Sequence, residues 1–145
     1  MKENFSERVQ SIIKQSKEEA IELGHSYVGS EHILLGLLKI NSGKGKKILK
    51  MFNVDINEMI NSINTRIKTS GGTLNLGHLP LTRRAERILR NSFNEASIRG
   101  DSISDDEHLL LAMLKEPEGV ASKVLKSFSL DYETVSDLIL SEEGS

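Results

Sequence analysis

The sequence predicts an all-α fold: two pseudo-symmetric four-helix repeats, about eight helices, packed as one domain. Three observations carry this. First, the chain repeats itself. At an offset of 76 positions, Ser30-Glu31-His32-Ile33-Leu34-Leu35-Gly36-Leu37-Leu38-Lys39 lies over Asp106-Glu107-His108-Leu109-Leu110-Leu111-Ala112-Met113-Leu114-Lys115, and the register needs no gap from about residue 5 to 64. The same offset pairs Arg8 with Arg84, Gly24 with Gly100, Gly43 with Gly119 and Phe52 with Phe128. Second, only 2 of 145 residues are Pro, while Leu, Ile, Glu and Lys abound, which favours helix. Third, apolar residues recur at three- and four-residue spacing, as one face of a helix requires.

The elements follow in order. Val9, Ile12, Ile13, Ser16, Ala20 and Leu23 form one apolar stripe. Ser6 is its expected N-cap, because a Ser oxygen can accept a first-turn N–H that has no helical partner. Gly24 is its expected left-handed terminator. The second helix, about Ser30 to Ile40, is apolar on most faces, so it belongs at the centre of the fold. Asn41-Ser42-Gly43 breaks it, and a short helix from about Gly45 to Met51 follows. Asp55 caps the fourth, with Glu58 placed for a capping box, and that helix ends near Lys68. The second repeat reads Thr82–Arg99, Asp106–Lys115, Gly119–Phe128 and Asp131–Leu140, with Glu116-Pro117-Glu118-Gly119 as its break. Residues 1–145 thus divide into repeat one (about 5–68), a linker (69–80), repeat two (about 81–140) and a polar tail (141–145). Leu34, Leu35, Leu38 and their mates Leu110, Leu111 and Leu114 are the expected core.

Composition narrows the function. With no Cys there is no disulfide framework, no Cys-ligated metal and no cysteine nucleophile, and a reducing compartment fits. No apolar run approaches the length of a membrane span, and the N-terminus does not read as a signal peptide. The net charge of −2 conceals two unlike halves. Residues 1–68 carry 11 Lys+Arg against 8 Asp+Glu, and residues 69–145 carry 8 against 13. The excess in the first half comes largely from Lys39, Lys44, Lys46, Lys47 and Lys50, read as a solvated helix face. The alternative is a stand-alone regulatory or nucleic-acid-binding helical protein that uses the basic 44–50 patch.

No catalytic constellation is present. Gly43-Lys44-Gly45-Lys46 is glycine-rich, but no strand precedes it and the phosphate-loop spacing is absent. Neither H-E-x-x-H nor G-x-S-x-G occurs. The four histidines are His25, His32, His78 and His108. Glu31 and His32 are neighbours and point about 100° apart on a helix, poor geometry for one metal, so no metal site is expected. A hydrolase using His and Glu as acid and base would lack a nucleophile. In the duplicated Glu-His pair, Glu31 and Glu107 suit the positive end of a helix dipole, and His32 and His108 read as core-edge side chains bonded to nearby carbonyls. A helix N-terminus also suits phosphate, and a nearby carboxylate suits a guanidinium. Together these would match a head group carrying both a cation and a phosphate.

The repeated Glu-His element, the preceding Glu18-Glu19-Ala20-Ile21-Glu22-Leu23-Gly24-His25-Ser26-Tyr27-Val28-Gly29 and the start Phe5-Ser6-Glu7-Arg8-Val9 resemble the N-terminal repeat domain of Clp AAA+ unfoldases, closest to the ClpC type. The resemblance runs from about Phe5 to Leu140. It implies a non-enzymatic domain that recognises adaptor proteins and protein substrates for a cytoplasmic hexameric ATPase feeding the ClpP peptidase. It implies no cofactor in this domain, with ATP and magnesium belonging to ATPase modules outside it. The chain is then an excised domain, monomeric in isolation, with membrane and nucleic-acid partners not expected. In ClpC relatives of Gram-positive bacteria such domains recognise phosphorylated arginine at two pseudo-symmetric sites. Carried over, one site would use Glu31 with Ser6 and the other Glu107 with Thr82. The second motif departs from the family pattern: Asp105-Asp106-Glu107-His108 stands where Gly-Thr-Glu-His is usual. Each extra carboxylate would repel a phosphate by about 1 kcal/mol or more at short range. Arg83 and Arg84 are the expected compensation at that second site.

Overall fold

A computed structural model describes residues 4–67 and 79–143. Among these described residues there are eight helices: α1 (Glu7–Glu22), α2 (Ser30–Lys39), α3 (Lys44–Met51), α4 (Ile56–Arg66), α5 (Arg83–Ile98), α6 (Asp106–Lys115), α7 (Val120–Ser127) and α8 (Tyr132–Glu143). The only β pairing among the described residues is two isolated parallel bridges, Phe5 with Ser104 and Val28 with Leu81. Most of the expected linker lies outside the described residues, as does His78.

The caps expected at Ser6 and Asp55 form, and their mates Thr82 and Asp131 cap the second repeat in the same way. Ser6 Oγ accepts the Val9 N–H at 3.1 Å, and Thr82 Oγ1 accepts the Ala85 N–H at 3.0 Å. Each satisfies a first-turn donor that the helix itself cannot reach. Asp55 and Asp131 do the same for Glu58 and Thr134. Gly24 and Gly100 follow α1 and α5 with φ of 73° and 78°, the left-handed conformation that glycine adopts without steric cost. Two boundaries differ from the sequence reading by more than one residue. The fourth helix stops at Arg66, and the eighth continues past Leu140 to Glu143, into the expected polar tail. Helix ends fray by a residue or two, because the last turn has few intrahelical bonds to lose.

α2 and α6 lie at the centre. All of Ile33–Leu38 and Leu109–Leu114 are buried, the six expected core leucines among them. α1 packs along α2 and α5 along α6. At the first of these crossings Gly36 admits the α1 backbone: a Cβ there would stand 2.6 Å from the Ile12 carbonyl oxygen. One hydrophobic cluster draws on both repeats, with α3 against α6 and α7 against α2 and α4. The repeats also exchange their entry segments. Ser6 N–H donates to the Ser104 carbonyl at 2.9 Å, and Thr82 N–H donates to the Val28 carbonyl at 2.9 Å.

Candidate functional site

That exchange decides the composition of both sites. The α1 cap of repeat one is carried to the start of α6 in repeat two, and the α5 cap of repeat two is carried to the start of α2. The pairing expected from sequence is therefore crossed: Ser6 stands with the Glu107 motif, and Thr82 with the Glu31 motif. Arg84 follows Thr82 to the α2 side, so it cannot compensate the carboxylates of α6; Arg83 is exposed beside it. Arg8 and Lys44 take that task instead.

The histidines of both motifs serve the backbone. His32 Nδ1 accepts the Gly29 N–H at 2.8 Å, and His108 Nδ1 accepts the Asp105 N–H at 2.9 Å. The expected carbonyl partner is replaced by an N–H, and each imidazole closes the N-cap from the third helical position as a Glu would in a capping box. His32 Nε2 lies 2.8 Å from His25 Nδ1, so both its ring nitrogens are engaged and no lone pair is left for a metal. Burial, and then the neighbouring His25, lower the His32 pKa to about 4. His108 Nε2 faces Asp101 Oδ2 at 3.2 Å, in the place His25 takes in repeat one.

The α6 site is crowded with charge. Asp105 Oδ1 accepts from Ser6 Oγ at 2.8 Å, and Asp105 Oδ2 lies 3.3 Å from Arg8 Nη2. Asp106 is fully buried. Its Oδ2 accepts the Gly45 N–H at 2.6 Å, at the start of α3, and its Oδ1 lies 3.7 Å from Arg8 Nε. Lys44 Nζ reaches Glu107 Oε2 at 3.3 Å and Asp105 Oδ2 at 3.7 Å. Burial raises the Asp106 pKa to about 6; the Gly45 N–H opposes this and the Asp105 and Glu107 carboxylates add to it. Burial also pushes Asp105 up, but its bonds from Ser6 and the Asp106 N–H, with Arg8 nearby, outweigh that and hold it below the usual carboxylate range. The Lys44 pKa is raised, chiefly by Glu107. Asp105, Asp106 and Glu107 bring carboxylate oxygens within 4.8 Å of one another, but Arg8 and Lys44 already balance them.

The α2 site is the less charged counterpart. Gly29 and Ser30 occupy the positions of Asp105 and Asp106, and Val120 that of Lys44. Ser30 is buried beside Gly119, the N-cap of α7. A Cβ on Gly119 would meet Arg84 Cδ at 2.7 Å, Arg84 Nε at 3.1 Å and Ser30 Oγ at 3.2 Å, so this glycine, at φ 106°, is what lets the three groups converge. Arg84 Nε is buried without a hydrogen-bond acceptor, Glu116 Oε1 lying 3.9 Å from it, and Glu118 Oε2 lies 3.7 Å from Arg84 Nη2. Among the described residues no cation pairs with the Glu31 carboxylate, whose Oε1 folds back over Gly29. The site thus brings a hydroxyl and a guanidinium to the α7 N-terminus beside Gly119, and an uncompensated carboxylate to Gly29.

The basic 44–50 patch is partly spent inside the molecule. Lys44 is held by Glu107 and Lys46 Nζ donates to the Ile40 carbonyl at 3.0 Å; outside the patch, Lys39 pairs with Glu19 at 2.7 Å. Sequence reasoning missed Arg8, Lys44 and Gly119 as site residues. The pairings of Arg8 with Arg84 and of Gly43 with Gly119 were the available signal.

Comparison with known proteins agrees with this architecture. The family described as the Clp repeat (R) N-terminal domain matches residues 4–137. The chain is 36% identical over 140 residues to a ClpA homolog of the Clp protease ATP-binding subunit from Guillardia theta, covering 97% of this chain and 17% of that protein. It is 35% identical over 144 residues to the chloroplastic chaperone protein ClpC1 of Oryza sativa subsp. japonica, covering 99% of this chain and 16% of the relative. In structure it resembles the Hsp104 N-terminal domain from Candida albicans, with TM-score 0.80 and 17% identity over 98% of this chain and 93% of that one, a likeness of fold alone.

Proposed function

The chain belongs to the Clp repeat N-terminal domain family, and from that premise we propose that it is the substrate- and adaptor-recognition domain of an ATP-dependent Clp unfoldase, with the α2 site receiving a phosphoarginine side chain. The domain is a helical interaction module and not itself catalytic. In this reading ATP, magnesium and contact with ClpP belong to parts of a longer protein, of which the chain matches only a sixth or so in its relatives. In this reading the setting is cytoplasmic, a reducing compartment that a chain without cysteine fits, and the isolated domain is a monomer. No helix among the described residues is long and apolar enough to cross a membrane.

The observation that carries the phosphoarginine reading is the uncompensated Glu31 carboxylate at the same helix start as Ser30, Arg84 and the α7 N-terminus. A phosphorylated guanidine carries cationic and anionic groups side by side. Glu31 would take the guanidinium through charge-assisted hydrogen bonds. Arg84, the Ser30 and Thr82 hydroxyls and the α7 N–H groups would take the phosphate. Of the four residues carried over from the family, Glu31 and Thr82 serve this site, while Ser6 and Glu107 line the other.

Titration calorimetry with free phosphoarginine tests the reading. Binding is expected, with at least a tenfold loss in Glu31→Ala and an unchanged circular dichroism spectrum. Absence of heat at millimolar ligand would remove phosphoarginine and leave adaptor docking, which pull-down of intact adaptor proteins tests separately.

A further inference from the structure

We propose that the α6 site is occupied by the chain's own side chains, so that the domain has one open ligand site where its symmetry would give two. The inference rests on the reading of the α2 site given above and names the two residues that set its valence, Asp106 and Lys44.

The two sites are superimposable position by position in sequence, and they differ where a ligand would sit. In the α2 site the residue following the N-cap is Ser30, whose Oγ approaches Gly119. In the α6 site it is Asp106, whose Oδ2 approaches the equivalent Gly43 and accepts the Gly45 N–H at 2.6 Å. A carboxylate therefore stands at the helix N-terminus where the α2 site would receive an anion, with Arg8 beside it as Arg84 is beside Ser30. Position 44 completes the substitution. Its mate Val120 brings no charge, whereas Lys44 places an ammonium 3.3 Å from Glu107, the mate of Glu31. The α6 site thus carries its own cation on the Glu and its own anion at the helix start. An external phosphate would have to displace a fully buried carboxylate and lie among Asp105, Asp106 and Glu107.

Calorimetry and amide NMR on the intact chain test this with phosphoarginine as probe. Wild type is expected to bind one equivalent. The Ser30 and Ala121 amides should shift while Gly45 and Glu107 stay in place. Glu31→Ala should weaken binding at least tenfold, and Glu107→Ala should leave it within twofold. The double substitution K44V/D106S, which installs the α2-site residues at these two positions, should raise the stoichiometry from one to two and bring Gly45 into the shifting set. Two equivalents in wild type, or wild-type shifts centred on Gly45, would overturn the proposal without any variant. So would a folded K44V/D106S chain that still binds one equivalent. If wild type binds nothing, the reading of the α2 site fails. The double variant then decides alone: binding that moves Gly45 upholds self-occupancy, and no binding overturns it.

Discussion

His32 and Asp106 sit at the start of symmetry-related helices and respond oppositely to pH. The pKa of His32 is about 4 in the folded chain, below its ordinary value of 6.5. As pH falls, the unfolded chain takes up that proton first, so stability is lost from about pH 6.5 to 4 and is level below. Asp106 is raised from 3.8 to about 6. The folded chain takes up this proton first, so its contribution is fully present below pH 3.8 and is lost as pH rises to about 6. Each shift corresponds to roughly 3 kcal/mol, with opposite slopes between pH 4 and 6. Wild type should therefore show a shallow pH dependence in that window. Asp106→Asn removes one slope, and its urea midpoint should fall progressively as pH is lowered from 6 to 4. An Asp106→Asn profile parallel to wild type would contradict the assignment. Burial comes first in both shifts; His25 beside His32, and Asp105 and Glu107 beside Asp106, add to it, while Arg8 lies 3.7 Å from Asp106 and Lys44 pairs with Asp105 and Glu107.

At the scale of elements, α2 and α6 hold the fold. Leu34 and Leu110 are completely buried at equivalent positions. Leu34→Ala or Leu110→Ala should each cost about 2–5 kcal/mol by denaturant unfolding, since the surrounding helices cannot fully collapse onto the space left. The turns after α3 and α7 repeat as well: Asn53 and Ser129, 76 positions apart, both have φ of 63°. Asn tolerates this left-handed conformation better than Ser, and glycine adopts it freely. Ser129→Gly should raise stability by about 0.5–1 kcal/mol, and Asn53→Gly by less, in the same measurement.

The whole molecule is interlocked rather than stacked. Asn4–Ser6 run against Ser104 of the other repeat, Val28 runs against Pro80–Thr82, and one hydrophobic cluster spans both halves. Leu110→Ala in repeat two should therefore lower the unfolding midpoint of both repeats equally. The chain's 2 Tyr, Tyr27 and Tyr132, supply one probe in each repeat. Coincident transitions are expected, as for a cooperative single unit, and separated ones would show independent halves.

The duplication, the eight helices, the Ser6, Asp55 and Thr82 caps and the leucine core are all legible in the sequence. They depend on periodicity and on bonds spanning three or four residues, which the order of residues states directly. The charged pair Asp105-Asp106 was legible too, and so was its conflict with an external phosphate. Which cap faces which motif is set by packing alone. Ser6 meets Asp105 across 99 positions of sequence, because each repeat lends its first cap to the other. No local rule encodes that exchange, since it follows from how the two halves bury one shared core. The fate of the charges was decided the same way. Lys44 reads as a solvated lysine until the packing of α3 on α6 brings it to Glu107. Arg84 reads as a partner for α6 until the Val28–Leu81 bridge carries it to α2.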